Sequence, residues 1–451
     1  MNDEHAANRL ATALGRLQEG GPRHQVQGRV TRLVGNVVEA SALDVGVGEL
    51  CHIERVGAEP INAQVVGFHE RGIQLMPLDD LGGIRPRARV WAIGRLPDVG
   101  VGEDLMGRVI DGLGEPIDGA GPIANGQRYP LNADPPNPLE RTPIATPLAT
   151  GVRAIDGLLT LGRGQRIGLF AGSGVGKSVL MGMIARHTTA DVNVIALLGE
   201  RGREVREFLE RDLGAEGLKR SVVVVVTSDK AALIRARGAL VATAIAEYFR
   251  DRGSNVLLMV DSITRVGMAW REIGLSIGEL PTTKGYPPSI FSQLARLLER
   301  AGAAATGSIT GLYTVLVESD DFNEPLADAS RSILDGHIVL SRELAGLRHY
   351  PAIDVLESVS RVRDAVTAPE HLEAANSFLE LEASYRQHAD LIAVGAYKAG
   401  TDEKVDTAIN MRSDTLKFLR QLPDEGTVME ETQERLGELV KSRRAQTVGA
   451  P

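Results

Sequence analysis

The chain has little of what disulfide-bonded or membrane-spanning proteins need. Its 451 residues include a single cysteine, Cys51, so an intrachain disulfide and a cysteine zinc site are both excluded. One cysteine suits a reducing cytoplasm, and we interpret Cys51 as a small buried hydrophobic residue. The longest apolar run, at 222–227, has the length of a strand and not the roughly 18 residues of a membrane span.

Basic and aromatic residues are also scarce. The chain carries 50 Lys+Arg against 59 Asp+Glu, a net charge of −9, and only 4% of its residues are aromatic. A protein held on nucleic acid needs a basic face to neutralise phosphates and, for single strands, aromatic rings that stack on bases. We therefore expect no nucleic-acid partner. The apolar share of 43% and charged share of 24% are typical of globular domains, and the length predicts roughly three of them.

The pattern of apolar residues changes along the chain. Leucines at helical spacing occupy 3–19, whereas short alternating segments with Gly and Pro between them, from Val26 to about Trp91, indicate a small closed β-barrel. The predicted divisions are an N-terminal helical partner-binding segment at 1–23, a β-barrel at 24–94, an α/β core at 95–366 and a helical C-terminal domain at 367–451.

The predicted core is an α/β domain. A proline-rich link at 130–147 predicts extended chain. After it, apolar strand-like runs alternate with helical patterns from 151 to 365. Fully apolar strands between helices predict a parallel sheet covered on both faces. After Pro369 the pattern is helical and amphipathic almost to the end of the chain.

The strongest chemical signal is the segment AGSGVGKS at 171–178, which follows an apolar strand and opens an apolar helix. Glycines let the backbone N–H groups turn inward toward phosphate oxygens, and the helix N-terminus adds a partial positive charge. Lys177 would reach the β- and γ-phosphates of ATP, and Ser178 would bind Mg²⁺. The alternative is a glycine turn with an accidental Lys-Ser. The predicted nucleotide-binding residues of this segment are Gly172, Ser173, Gly174, Val175, Gly176, Lys177, Ser178 and Val179.

Two carboxylates follow strands that would lie beside this loop. Asp261 ends the apolar run VLLMVD, at the sheet edge where open parallel sheets bind ligands, and we interpret it as a metal-supporting acid. Glu200 ends NVIALLGE and could orient and polarise the water that attacks a phosphate. The alternatives are a helix cap for Asp261 and a solvated helix-start acid for Glu200. We expect Glu204, on the next helix, to be a surface residue.

Two further candidates lie late in the core. Tyr350 could stack on adenine, and Arg361 could be a finger that reaches the γ-phosphate in a neighbouring subunit. From the residues alone, Tyr350 could equally be a core aromatic and Arg361 a member of a surface ion pair.

Several long segments in order carry a resemblance that covers nearly the whole chain. The segments are GVRAIDGLLTLGRGQRIGLFAGSGVGKS, ALLGERGREVREF, VLLMVDSITR, LPTTKGYPPSIFSQLARLLERAG and HYPAIDVLESVSRV. In these segments the sequence resembles the flagellar and type III secretion export ATPases, which are relatives of the catalytic subunit of rotary ATP synthases. The resemblance implies a RecA-like P-loop NTPase core with a parallel sheet, preceded by the β-barrel and followed by the helical domain. It also implies a homohexamer with ATP sites between subunits.

The resemblance also implies roles at matching positions. Glu200 matches the water-activating glutamate, with Arg201 the adjacent basic residue, and Asp261 matches the acid that holds the water shell of Mg²⁺. Tyr350 matches the adenine-stacking aromatic. Arg361 matches the finger supplied across the interface, although Arg363, two residues away, competes for that role.

Partners are implied in the same way. The N-terminal helix at about 3–19 would bind a stator-like regulatory protein, or would simply be a frayed leading helix. The GYPPS loop at 285–289 would face a central stalk protein, or would be an ordinary proline-rich turn. Complexes of export substrates with their chaperones would dock on the C-terminal helices, near an export gate. The protein would be cytoplasmic and peripheral to the inner-membrane export apparatus.

One chain carries both Glu200 and Arg361, so a single subunit type could build every site of a ring. The acidic stretch of the synthase catalytic subunit is absent, which favours export over ATP synthesis. The TTKGYPPS segment favours a flagellar system, with a virulence injectisome as the alternative. From other classes, a Rho-like hexameric RNA motor is disfavoured by charge and aromatic content, and a non-catalytic ATP-binding assembly protein by Glu200.

Overall fold

The computed structural model describes residues 27–41, 43–70, 72–124, 126–317 and 324–448. The predicted N-terminal helix at 3–19 lies outside these residues. The chain divides into two compact units, one ending at Pro97 and including Ser276–Gly278, the other formed by Asp98–Leu275 and the residues from Glu279 onward. Within the described ranges, no helix is both long and apolar enough to cross a membrane.

The first unit contains a closed six-stranded barrel with strand order β1-β2-β5-β4-β3-β6, which confirms the predicted barrel. Its interior is a cluster of aliphatic side chains in which Cys51 is fully buried, as expected for a small hydrophobic residue. Sequence patterning missed β3, a four-residue strand in which the buried residues do not alternate with exposed ones. The strands are β1 (Gln27–Val34), β2 (Val37–Ser41), β3 (Leu50–Ile53), β4 (Ile61–His69), β5 (Gly72–Pro77) and β6 (Arg89–Ala92).

The second unit is built on a large twisted sheet with strand order β19-β18-β12-β17-β15-β13-β14-β8, and a short strand, β16, pairs with β17. The remaining strands form two small antiparallel pairs, β7 with β9 and β10 with β11. The strands of this unit are β7 (Asp98–Val101), β8 (Val109–Asp111), β9 (Gln127–Pro130), β10 (Pro147–Leu148), β11 (Leu161–Gly162), β12 (Arg166–Ala171), β13 (Val192–Glu200), β14 (Ser221–Thr227), β15 (Asn255–Asp261), β16 (Gly302–Ala303), β17 (Ser308–Leu316), β18 (Gly336–Leu340) and β19 (Ile353–Ser360).

Burial explains why the central strands are so apolar. β13 and β14 are buried along their length up to the last residue of each, and consecutive strands from β8 to β18 in the sheet order run parallel. The expectation of a parallel sheet is therefore confirmed for these strands. The edge strand β19 differs, because it pairs antiparallel with β18.

Helices cover the sheet and form the C-terminal region. Among them, α3 and α4 are joined by one turn of π-helix at Phe208–Leu213. Short 3₁₀ turns occupy Glu103–Leu105, Pro138–Glu140 and Thr283–Gly285. The α-helices are α1 (Arg153–Leu158), α2 (Lys177–His187), α3 (Gly202–Glu207), α4 (Gly214–Lys219), α5 (Ala232–Asp251), α6 (Ile263–Ser276), α7 (Ser289–Glu299), α8 (Pro325–Ile333), α9 (Arg342–Gly346), α10 (Arg363–Val366), α11 (Pro369–Ala393), α12 (Glu403–Leu419) and α13 (Met429–Val448).

The C-terminal helices share a hydrophobic cluster with the core. Phe378 of α11 and Phe418 of α12 pack with ring centroids 5.2 Å apart, and both belong to the same buried cluster as α1 and the sheet. A side chain at Gly157 in α1 would lie 2.9 Å from the Phe418 ring, so glycine permits this close approach. The predicted boundaries at 94 and 366 stay predictions, with the last barrel strand ending at Ala92 and α11 beginning at Pro369.

The strand order brings the ends of distant segments together. Because β12, β17, β15 and β13 are neighbours and parallel, their carboxyl ends meet at one edge of the sheet. In register, Leu197 of β13 lies opposite Asp261, the last residue of β15. The site described below is assembled at this edge.

Candidate functional site

The segment after β12 forms a tight loop that opens α2. Gly174 and Gly176 have φ angles of 78° and 95°, left-handed values that side-chain-bearing residues rarely adopt. Ala171 and Val175 are 1% exposed and anchor the loop in the core. Lys177 begins α2, so the loop presents the unpaired N–H groups of a helix N-terminus. This is the strand, loop and helix that the sequence predicts for a phosphate-binding loop.

The Lys177 side chain lies between two carboxylates. Its ammonium forms an ion pair with Asp261, and its Nζ lies 3.6 Å from Oε1 of Glu200. The Asp261 side chain is only 4% exposed, so it needs partners in the protein. A second partner is Thr314 of β17, whose hydroxyl donates a 2.7 Å hydrogen bond to Oδ1 of Asp261. Glu200 and Asp261, which the sequence predicts at separate strand ends, therefore meet around the Lys177 ammonium.

Thr314 was missed by sequence reasoning. It is fully buried in β17, within the otherwise apolar run LYTVLV. A buried hydroxyl in such a strand must find a hydrogen-bond partner, and that requirement was the signal available in the sequence.

Burial changes the acidity of Glu200. It raises the pKa of the Glu200 carboxyl to about 7, against the opposing effect of the Lys177 charge and with a further rise from Asp261. A hydrogen bond with Glu204 contributes to the same rise, and this bond lowers the pKa of Glu204. The interpretation of Glu204 as a simple surface residue is therefore incomplete, because its half-exposed side chain on α3 also touches Glu200.

A cavity of about 930 Å³ lies in front of the phosphate loop. The loop, Glu200 and Asp261 line it, together with cationic side chains that suit a polyphosphate. Arg201, with 82% of its side chain exposed, is one of them and pairs with Glu204 at 3.8 Å. Sequence reasoning missed the other cations of the lining, which come from three different helical segments: Arg211, Arg265 and Arg342.

A second, mostly apolar cavity of about 560 Å³ adjoins the first, since Gly174, Gly176 and Val179 line both. Tyr350 lies in it, 39% exposed, and its hydroxyl donates a 3.3 Å hydrogen bond to the Ala345 carbonyl. The predicted aromatic is therefore next to the phosphate loop. The sequence did not predict another part of the lining, which comes from the link between α12 and α13: Arg420, Gln421, Leu422, Pro423 and Glu425.

Arg361 is placed differently. It is exposed just after β19 and is not among the residues that line either cavity, and its Nη2 lies 3.5 Å from the Arg331 carbonyl. Arg363 is more enclosed, with 20% of its side chain exposed. It donates hydrogen bonds to Asp364 at 3.2 Å and to Asn376 of α11 at 3.0 Å. The structure thus brings Lys177, Glu200, Asp261 and Tyr350 together without Arg361.

The predicted pore loop contains a left-handed turn. Gly285, its first residue, has a φ angle of 82°, and Lys284, just before the loop, has a φ angle of 49° and is exposed. In contrast, Tyr286 is buried, with its ring 6.2 Å from that of Phe291 and the Arg271 guanidinium 5.2 Å above it. The loop is therefore held at Tyr286, whereas Pro288 is exposed to solvent.

The oxygen donors at the loop fit a magnesium ion. Among the described residues, no group of three or more His, Cys, Asp or Glu side chains could hold a metal by itself. The Ser178 hydroxyl at the start of α2 and the carboxylates of Asp261 and Glu200 all line the larger cavity. Mg²⁺ takes such hard oxygen ligands one or two at a time, together with phosphate oxygens and water.

The fold and the loop define a P-loop nucleoside triphosphatase with a RecA-like core. In agreement, residues 151–360 match the ATP synthase alpha/beta family, nucleotide-binding domain, and residues 367–438 match the T3SS EscN ATPase C-terminal domain. The flagellum-specific ATP synthase of Bacillus subtilis is 54% identical over 90% of this chain and 93% of its own. The type 3 secretion system ATPase of Xanthomonas euvesicatoria is 51% identical over 91% of this chain and 93% of its own.

A solved structure agrees over most of the chain. The assembled ATPase EscN of the enteropathogenic E. coli type III secretion system superimposes with a TM-score of 0.86 and 45% identity, covering 92% of this chain and 100% of EscN. The chain therefore belongs to the flagellar and type III secretion export ATPases. It is an ATP-binding enzyme, an ATPase of that export class.

Proposed function

We propose that this chain is the ATP-hydrolysing motor of a flagellar-type protein export apparatus, which couples hydrolysis to the unfolding, release and secretion of export substrates. The catalytic part of this proposal rests on one observation: Lys177, Glu200 and Asp261 lie together beside the phosphate loop. The loop supplies phosphate binding, and the two acids supply the groups that hydrolysis needs.

In the proposed reaction the loop N–H groups and Lys177 bind the β- and γ-phosphates. Phosphate binding then replaces the ion pair that Lys177 makes with Asp261. Ser178 and Asp261, which both line the larger cavity, would hold Mg²⁺, Ser178 through its hydroxyl and Asp261 through the water shell of the ion. Mg²⁺, when bound, neutralises the charge that develops on the phosphate oxygens.

Glu200 orients the attacking water and accepts its proton, which requires the carboxylate form. A pKa near neutrality suits that role, because a general base works best when its pKa lies near the operating pH. Arg201, beside it in the larger cavity, adds positive charge close to the phosphates. In the smaller cavity, Tyr350 stacks on the adenine ring against mostly apolar walls.

The exposure of Arg361 supports a finger that acts across a subunit interface. A residue outside both cavities of its own chain can reach a γ-phosphate only in a neighbour. Arg363 is the weaker candidate, since its guanidinium already bonds Asn376 and Asp364. We therefore infer a homohexameric ring with ATP sites between subunits, by analogy with the related EscN, which was solved in an assembled form.

The proposed partners follow the same analogy. EscN was solved with its central stalk EscO, and on this chain a stalk would dock at the 285–289 loop, where Pro288 is exposed. Substrate–chaperone complexes would dock on α11–α13, and a stator-like regulatory protein would bind the N-terminal segment. These partners, with the export gate, would hold the ATPase on the cytoplasmic side of the inner membrane.

The choice between a flagellar and a virulence system rests on the TTKGYPPS segment. The identities of flagellar relatives, 54% and 51%, overlap with those of type 3 secretion ATPases, 51% and 50%, and do not separate the two.

Deletion of the gene in its own host tests the proposal. We expect loss of motility and of secreted flagellar subunits, restored by the wild-type gene and not by one encoding Glu200→Gln. Loss of effector secretion with normal motility would instead assign the chain to an injectisome. A purified enzyme whose turnover depends on added RNA would contradict the export role and favour a nucleic-acid motor.

A further inference from the structure

Part of the wall of the smaller cavity belongs to the link between α12 and α13. We call this segment, Arg420–Thr427, the strap. Its residues line the cavity beside Tyr350, and the backbone N–H of Gln421 donates a 3.0 Å hydrogen bond to the Tyr350 carbonyl. The strap is therefore bonded directly to the residue that we propose stacks on the base.

Arg153, at the start of α1, makes several contacts with the strap. Its side chain is only 3% exposed. It forms an ion pair with Glu425, and Nη2 donates a 2.5 Å hydrogen bond to the Arg420 carbonyl. Nε donates to the Phe418 carbonyl at 3.0 Å and Nη1 to the Thr427 hydroxyl at 3.3 Å. Burying a guanidinium is costly unless its donors are satisfied, and here the partners span the whole strap.

Gln421, a residue of the strap, adds further hydrogen bonds to this network. Its Nε2 donates a 2.7 Å hydrogen bond to the Gly151 carbonyl, and its Oε1 accepts a 2.9 Å bond from the backbone N–H of Arg153. A further contact comes from α2, the helix that follows the phosphate loop, where Arg186 donates a 2.5 Å bond to the Pro423 carbonyl. The strap is thus tied to α1, to α2 and to Tyr350.

We propose that Arg153 and Gln421 are positioning residues of the base pocket, which hold the strap so that binding of the nucleotide base and placement of α12 and α13 are coupled. The inference rests on the proposed function, which places the base at Tyr350. Neither residue lies among those that line the phosphate cavity. Substitution of either residue should therefore weaken the binding only of ligands that carry a base. Because such coupling is reciprocal, binding of the base should in turn stabilise the position of the strap.

Ligands with and without a base separate this role from a general structural one. We would measure the dissociation constants of Mg-ATP and of Mg-tripolyphosphate for the wild type and for Gln421→Glu, which removes the donation to Gly151. We expect ATP to bind about tenfold more weakly to the variant, the equivalent of about one hydrogen bond, and tripolyphosphate affinity to stay within about twofold. Arg153→Ala should behave in the same way, and Arg153→Lys should recover part of the loss.

Arg108→Ala is the matched control. Arg108 is also mostly enclosed, with 14% of its side chain exposed, and pairs with Asp118 at 2.7 Å. It precedes β8, which lies at the opposite end of the sheet order from β19. Both affinities should be unchanged in this variant. Equal weakening of ATP and tripolyphosphate in the strap variants would overturn the proposal, since that is the signature of a damaged fold.

Hydrogen exchange tests the coupling in the wild type. ATP, and not tripolyphosphate, should slow exchange of the strap amides by about fivefold or more, because the Gln421 N–H is bonded to Tyr350. Equal exchange with both ligands would overturn the coupling.

If wild-type protein binds tripolyphosphate as tightly as ATP, the base assignment of the proposed function fails. If the base strengthens binding but the strap variants bind ATP normally, only the present inference fails.

Discussion

At the scale of single residues, the site depends on which of its carboxyl groups holds a proton. Glu200 and Glu204 share a hydrogen bond, and the pKa of Glu200 is raised whereas that of Glu204 is lowered. Burial penalises the ionised form of Glu200, and Lys177 only partly offsets this penalty. Glu200 therefore titrates in the range where a proton acceptor is useful, while Glu204 stays ionised.

Glu200→Gln should abolish hydrolysis without abolishing binding. The amide has nearly the same shape but cannot accept a proton, so we expect turnover to fall by about 10²- to 10⁴-fold. Equilibrium binding of ATP should change little, because the phosphate loop and Lys177 remain. Lys177→Ala is the contrasting variant and should lose binding. Turnover within a few-fold of the wild type would remove Glu200 from its proposed role.

Activity should depend on pH through Glu200. Its carboxylate form is required and its pKa is raised to about 7, so kcat/KM should rise as the pH increases through neutrality. Glu204→Gln should shift this increase in kcat/KM to lower pH, because the hydrogen bond with Glu204 helps to raise the pKa of Glu200. The check is a pH profile of both proteins. A profile that is flat between about pH 5 and 8, the range in which a group with a pKa near neutrality titrates, would contradict the assignment.

Tyr350 should act through its ring and not through its hydroxyl. The hydroxyl makes only a 3.3 Å bond to the Ala345 carbonyl, whereas the ring lies against the phosphate loop. Tyr350→Phe should keep KM for ATP near the wild-type value. Tyr350→Ala should raise it by about 5- to 20-fold, since stacking on a base contributes about 1–2 kcal/mol. Similar KM values for the two variants would exclude a stacking role.

At the scale of elements, the sheet order assembles the site. β12, β17 and β15 are neighbours, so the loop after β12 lies close to Asp261 at the end of β15, with Thr314 of β17 between them. The hydroxyl of Thr314 bridges the strands by donating to Asp261, which leaves that carboxylate one fixed orientation beside Lys177.

Thr314→Val should lower both stability and turnover. Valine has the same shape but no donor, so Asp261 would lose a buried hydrogen bond, a loss of about 1–3 kcal/mol. Thr314→Ser keeps the hydroxyl and serves as the control. Urea unfolding followed by circular dichroism, together with ATPase rates, would check both effects. A valine variant as stable and as active as the serine variant would show that this bond has no role.

At the scale of the whole molecule, the active site is incomplete within one chain if Arg361 is the finger. Chains with Arg361→Ala and chains with Lys177→Ala should each be inactive alone. Mixing them should restore part of the activity, because a mixed interface can combine an intact loop with an intact finger. Arg363→Ala should retain more activity than Arg361→Ala, since Arg363 bonds within its own chain.

Steady-state ATPase rates over a range of mixing ratios and protein concentrations provide the measurement. Specific activity of the wild type should also rise with concentration, as expected for sites that form on assembly. Absence of rescue at every ratio would rule out a finger acting between subunits.

Much of the fold and part of the site could be predicted from local patterns. Five barrel strands, six strands of the core sheet (β12–β15, β17 and β18) and the phosphate loop each show in a short stretch of sequence. The reason is that periodicity and glycine placement reflect burial and backbone conformation directly. The buried residues of β3 do not alternate, β8 has only three residues, and the antiparallel pairing of β19 leaves no local mark.

The sequence by itself determined which chemical groups this protein has and the order in which its strands, loops and helices follow one another. Only the tertiary structure decided which groups meet. Thr314 reaches Asp261, Glu204 reaches Glu200, and the strap closes the cavity beside Tyr350. The reason is that each meeting joins residues from different elements, and their distance is set by strand order and helix packing, which no local pattern encodes.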